Sequence, residues 1–191
     1  MPGPVVERSD RLAFRVPERD DVEFLQRSRT DPRVRFPLGS YYHGNRDQQR
    51  EAFEARVEDD SEAAFVACLA EDTAGDGGAD AEPTRVGFVA VHNVDGDRAW
   101  LTYWLLPEYH GEGYGRETAA FAVEYAFETH AVHGVSAGAY DFNDESRGLL
   151  ESLGFTADVR EVERDYVDGE YHDSYTYSLL RREWAREHRD A

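Results

Sequence analysis

Apolar residues recur at every second position in RLAFRV, where Leu12, Phe14 and Val16 predict a first strand over 11–16. Asp20 and Asp21 then offer a helix cap before Val22 and Leu25. DPRVRFPLGSYYHGN carries two prolines and two glycines and reads as a loop. Arg46 to Glu58, with Phe53 and Val57 four residues apart, predicts a second helix. AAFVACLA is strand-like. RVGFVAVHNV and RAWLTYWLLP predict two further strands joined by a DGD hairpin at 95–97, the second stopped by Pro107. The polar, turn-rich stretch 73–84 then reads as an expanded hairpin tip and not as a domain linker.

After a glycine-rich stretch the period becomes helical: Ala119, Val123 and Phe127 share one face of a helix over Glu117–Glu128. GVSAGAY predicts a strand. Asn143 precedes a helix with Leu149, Leu150 and Leu153 on one side, and Gly154 ends it as a left-handed cap onto which Phe155 can fold back. Strands near 156–166 and 171–180 meet at a DGE turn, and REWAREHRD forms a short polar tail with helical character. There is no internal repeat. The mixture predicts an α/β (α+β) domain around a central sheet.

The chain of 191 residues suits one domain. Its 40 acids against 21 basic residues give a net charge of −19, and every basic residue is arginine. A polyanion would be repelled, so nucleic acid is not expected as a partner. The acids are spread along the chain, which favours a solvated surface suited to high salt over a docking face for a cation; the composition is similar to that of cytosolic proteins from extreme halophiles. The single cysteine, Cys68, excludes an internal disulfide and a zinc cluster, and sits in an apolar run as an inert thiol. MPGPVVERSD lacks the charged-then-apolar pattern of a secretory signal. No run approaches a membrane span of about 20 residues. The expectation is a soluble cytoplasmic protein with no membrane partner.

HGEGYGRE (110–117) sits between the strand ending at Leu106 and the helix from Glu117. A helix start carries unpaired N–H groups and positive potential, and glycines let a phosphate reach them. A flexible turn is the alternative. A P-loop is excluded by the absence of lysine. The dinucleotide pattern G-x-G-x-x-G fails from either Gly111 or Gly113.

LTYWLLPEYHGEGYGRETAAFAVEYAF resembles motif A of the GNAT acyltransferases, with Gly113 and Gly115 in place and His110 where glutamine or arginine is usual. NDESRGLLESLGF resembles motif B. DGEYHDSYTYSLLRREW, RLAFRVPERDD and TDPRV are similar to the RimJ/RimL-like branch named for ribosomal-protein N-terminal acetylation. The resemblance covers about 11–184, leaving 1–10 as an extension and 185–191 as a polar tail. It implies a GNAT fold: a twisted, mostly antiparallel sheet of six or seven strands flanked by helices, in which two central parallel strands, assigned to 99–106 and 134–140, splay apart. Leu105 and Leu106 would offer backbone groups to the pantetheine of acetyl-CoA. Gly111, Glu112, Gly113, Tyr114, Gly115 and Arg116 would hold its pyrophosphate.

Acetyl transfer needs an amine that loses a proton, a polarised carbonyl and a leaving thiolate that gains a proton. The family's tyrosine seven residues after the motif-B asparagine is Leu150 here. The serine three after it, the branch's usual donor, is Ser146. Ser146 thus stands as the catalytic candidate, or else completes the helix start. Asn143 is a cap, a CoA contact, or both. Arg147 reaches the CoA phosphates or is merely solvated. Glu161, Glu163 and Asp165 are the candidate bases, none singled out. Tyr41, Tyr42 and Trp104 line an acceptor pocket or fill the core, the core being favoured for Trp104. No metal-ligand spacing is present. The implied activity is N-acetyl transfer to a protein N-terminus or a small amine, the alternative being a non-catalytic CoA-binding module. Acetyl-CoA and the amine are the implied partners, with a homodimer left open.

Overall fold

The computed structural model describes residues 3–40, 43–57, 61–70 and 82–187. Eight strands form one sheet: β1 (Val5–Arg8), β2 (Leu12–Arg15), β3 (Glu62–Leu69), β4 (Arg85–His92), β5 (Arg98–Leu105), β6 (Gly134–Tyr140), β7 (Thr156–Val167) and β8 (Glu170–Leu180), in the order β1-β2-β3-β4-β5-β6-β8-β7. The resemblance implied six or seven. One strand outside that count's reach is β1, built from residues before Arg11; it pairs with β2 through a bulge. Every pairing is antiparallel except β5–β6. The parallel ladder runs only from Arg98↔Gly134 to Leu101↔Ala137, although both strands continue, so a gap opens beyond it.

Six helices are seen among the described residues: α1 (Val22–Thr30), α2 (Pro32–Arg35), α3 (Arg46–Val57), α4 (Tyr114–Thr129), α5 (Asp144–Ser152) and α6 (Arg181–Glu187). They cover the two faces of the sheet. On one face Leu101 and Leu105 pack with Ala119, Val123, Phe127 and Leu150 of α4 and α5. On the other, Phe88, Trp104 and Leu106 pack with Val22, Leu25, Val34 and Phe53 of α1, α2 and α3. Trp104 is therefore a core residue, and so is Cys68. The alternation of β5 divides neighbouring residues between these faces: Thr102 faces α1–α3, Tyr103 faces α5.

Two local expectations change. DPRV is a one-turn helix and not a loop: Pro32 fits its first turn, and the Asp31 side chain accepts from the Arg33 amide. Hydrogen bonds from Arg33 hold the Asp31 carboxyl down to about 2. Asp21 does not cap α1 through its side chain. Its carboxylate turns inward, fully buried, accepting from the Glu18 amide at 2.8 Å and from Arg85 Nε at 2.7 Å. Gly154 does close α5 at φ 86°, and the Phe155 amide returns to the Leu150 carbonyl at 3.1 Å. The DGD and DGE turns join antiparallel neighbours as expected. So do the strands flanking 73–84, although 71–81, Tyr41 and Tyr42 lie outside the described residues. No helix of the described residues is long and apolar enough to cross a membrane.

Candidate active site

The gap between β5 and β6 opens into a cleft of about 900 Å³. Gly111, Gly113, Gly115 and Arg116 line one end, Leu105, Tyr103 and Thr102 one wall, and Gly138, Ala139 and Tyr140 the other. Asn143, Ser146 and Leu149 of the α5 start close one side, and Arg33, Val34, Pro37 and Leu38 roof the opposite side.

The glycine loop leads directly into α4. Gly113 is the N-cap residue at φ 82°, a left-handed conformation that favours glycine. It supplies no side-chain cap. The first intrahelical bond is Glu117 N–H to the Gly113 carbonyl at 3.2 Å. The amides of Tyr114, Gly115 and Arg116 thus remain without helical partners at the positive end of a 16-residue helix. By contrast, the Asn143 side chain accepts from the Ser146 amide and closes the start of α5. The loop is braced from β2: Arg11 donates to the Glu112 carbonyl at 2.7 Å, pairs with Glu117 at 2.7 Å and lies over the Tyr114 ring. Burial opposes the Glu117 charge, but bonds from Ser9 and Arg11 hold its carboxyl below the ordinary range.

Charge in the cleft runs against the charge of the chain. Three arginines (Arg33, Arg116, Arg164) and two acids (Glu145, Asp165) line it, whereas acids outnumber arginines 40 to 21 overall. Arg116 is exposed and makes no ion pair among the described residues. Arg33 is paired with Asp31, and Arg164 with Glu161 and Asp165, so an anion entering this end would meet Arg116 and the open amides of the α4 start.

Not every candidate reaches the cleft. Leu105 does, and its carbonyl lies 3.3 Å from His110 Nε2. Leu106 does not line the cleft: its N–H donates to the Val86 carbonyl and its own carbonyl accepts from Tyr109. Arg147 does not line the cleft either. Its guanidinium bonds to Tyr177, the Asp141 carbonyl and Asp144, and stacks on Tyr175, away from the glycine loop. Glu112 and Tyr114 do not line the cleft. Among the candidate bases, Asp165 lines the cleft and Glu161 and Glu163 do not. A bulge between Glu161 and Asp165, with Glu163 at φ 48°, turns the strand there.

One partner escaped the sequence reading. Tyr103 Oη lies 2.8 Å from Ser146 Oγ. Burial pushes the Tyr103 phenol up to about 12, against the pull of that bond. Tyr103 therefore stays protonated at physiological pH. Because Asn143 already caps α5, the Ser146 hydroxyl is released from a capping role and turned to Tyr103 at the cleft wall. The only sequence signal was a Thr-Tyr pair inside an otherwise apolar strand, just before the glycine loop.

A family model described as Acetyltransferase (GNAT) domain matches residues 11–156. The chain belongs to the GNAT acetyltransferase family. YdaF of Bacillus subtilis, named as a candidate ribosomal N-acetyltransferase, is 34% identical over 103 residues, 53% of this chain and 56% of that relative. The chain therefore spans about half the length of YdaF. The spermidine N(1)-acetyltransferase of Vibrio cholerae is 21% identical over 167 residues, 86% of this chain and 90% of that one. The crystal structure of spermidine N-acetyltransferase from Vibrio cholerae with CoA and spermine superposes with a TM-score of 0.81 at 20% identity, covering 92% of this chain and 99% of that one. At that identity the likeness is one of fold: a GNAT sheet, mostly antiparallel with one parallel pair, flanked by helices.

Proposed function

We propose that this GNAT protein transfers the acetyl group of acetyl-CoA to a primary amine by direct attack within the cleft. One observation carries the proposal: an uncapped glycine-loop helix start, a gap between parallel strands and a hydroxyl pair meet in a single cavity. The amides of 114–116 and Arg116 suit the pyrophosphate. The unpaired edge of β5 around Leu105 suits the amide-bearing pantetheine. Ser146, with Tyr103 behind it, suits protonation of the departing thiolate. A protonated Tyr103 that donates to Ser146 Oγ leaves the serine's own proton free for the sulfur.

Thiol release from acetyl-CoA over a panel of primary amines tests this. Turnover supports transfer, whereas tight CoA binding without turnover on any amine supports a non-catalytic CoA-binding module. The Ser146→Ala variant is expected to lose about tenfold in kcat with CoA affinity unchanged, below the 2–4 kcal/mol of a fully preorganised donor because a thiolate is already a fair leaving group. Wild-type kcat in that variant would return Ser146 to a structural role.

For the acceptor we propose an α-amino group, in line with the RimJ/RimL-like motifs. At pH 7 roughly a tenth of α-amines are neutral, against a few in ten thousand lysine side chains. In peptides carrying one free N-terminus and one lysine, mass spectrometry is expected to find the label mainly on the N-terminus. Label mainly on lysine would refute the preference.

A further inference from the structure

We propose that Thr102, His92 and Glu62 form a proton relay that draws the proton from the acceptor amine. The inference rests on the acetyl-transfer reading above. Three adjacent strands bring the residues together: Glu62 on β3 pairs across to His92 on β4, and Thr102 stands on β5 beside them. Glu62 Oε2 lies 2.8 Å from His92 Nδ1, and His92 Nε2 lies 3.2 Å from Thr102 Oγ1. The Glu62 side chain is 7% exposed. With the Nδ1 proton donated to Glu62, Nε2 is left as a lone-pair acceptor for the Thr102 hydroxyl. A carboxylate thus fixes the imidazole tautomer and stabilises the imidazolium once it forms.

The place of the outer end turns this ladder into a candidate relay. Thr102 lines the cleft. It is the first β5 residue beyond Leu101, the last to pair with β6. It faces the α1–α3 side, whereas its neighbour Tyr103 faces Ser146 on the α5 side. The two proton-handling groups therefore flank the point where the strands part. Transfer needs such a division, because the amine must lose its proton on one side while the thiolate gains one on the other. In the step proposed, an ammonium N–H bond breaks as an O–H bond forms at Thr102, and the Thr102 proton moves to His92 Nε2. The freed amine lone pair forms the C–N bond to the acetyl carbon, the C–S bond breaks, and the thiolate takes a proton from Ser146. The remaining proton on the new amide nitrogen leaves to solvent, and His92 and Ser146 are restored by exchange with water.

A base matters more for amines that are rarely neutral. kcat/KM is measured for the wild type and for Thr102→Val, Thr102→Ser, His92→Gln and Glu62→Gln over primary amines whose pKa values run from about 8 to about 10. Thr102→Val and His92→Gln are expected to lose about 10²-fold or more on the most basic amines and less than about tenfold on the least basic. Thr102→Ser, which keeps the hydroxyl, should restore the wild-type dependence on amine pKa, and Glu62→Gln should fall between. A uniform loss across the panel in Thr102→Val and His92→Gln would overturn the relay and leave the ladder structural. So would a steepened dependence in Asp165→Asn alone. Wild-type protein that releases no CoA thiol on any amine would remove the acetyl-transfer reading, and the relay with it.

Discussion

A Gly115→Val variant is expected to fold and to bind acetyl-CoA about 100-fold more weakly. Gly115 lies in the first turn of α4, where a Cβ would stand 3.0 Å from Leu149 Cδ1 and 3.7 Å from Leu105 Cδ1. Both neighbours are flexible side-chain ends that line the cleft. They can give way, so the fold survives; they give way into the space a pantetheine needs, and the amides of 114–116 shift. Losing one or two hydrogen bonds to a charged group costs about 1.5–3 kcal/mol each. Overpacking a filled contact costs about 1–3 kcal/mol and is shared with the fold. Gly115→Ala should lie between, since its methyl displaces only the end of the Leu149 side chain. Isothermal calorimetry reads the change. A folded Gly115→Val protein with wild-type affinity would remove the glycine loop from the CoA site.

Asp21→Asn is expected to destabilise the protein by about 3–5 kcal/mol, the cost of breaking one side of a buried ion pair. Asp21 is fully buried and holds Arg85 Nε at 2.7 Å, with the arginine side chain only 14% exposed. The same carboxylate ties down the Glu18 amide. It therefore anchors the entry into α1 to β4, and with it the α1–α2 segment whose Arg33, Val34 and Pro37 roof the cleft. Arg85 has a second partner, Glu82, at 2.7 Å, but that carboxylate is 61% exposed. Glu82→Gln should cost far less, because an exposed ion pair is screened by solvent. Thermal melts of the two variants give the contrast; equal shifts would mean that the buried partner carries no special weight.

Local chemistry made much of this architecture readable. The Gly154 cap and the DGE turn rest on glycines at positive φ, and the α4 face on apolar residues four apart at Ala119, Val123 and Phe127. The GNAT resemblance carried the parallel pair, because no periodicity says which strands are neighbours. Side-chain aim was less legible. Arg147 and Ser146 are adjacent on α5, yet Arg147 turns to Tyr177 and Ser146 to Tyr103. Leu105 ends β5 and Leu106 follows it, yet Leu106 bonds to Val86 and Leu105 stays at the gap. Asp21 read as a cap because an acid before a helix usually is one; its true partner, Arg85, is 64 residues away. Thr102, His92 and Glu62 were invisible as a group for the same reason: strand pairing, and not spacing, sets their contacts.

Charge shows the same division between global and local. A net charge of −19 suggests a molecule that repels anions. Arg33 and Arg164 at the cavity are paired with carboxylates, but the fold sets Arg116 beside three open helix amides at one end of it, a local anion contact set against the global field. An anionic cosubstrate can thus be held by a strongly acidic chain.

A crystal structure of the protein with CoA bears most directly on the central claim that this cleft seats acetyl-CoA for transfer. The expected density places the pyrophosphate on the amides of Tyr114, Gly115 and Arg116, the pantetheine along β5 at Leu105, and the sulfur between Thr102 and Ser146. CoA bound elsewhere on the surface, or a sulfur distant from both hydroxyls, would contradict it.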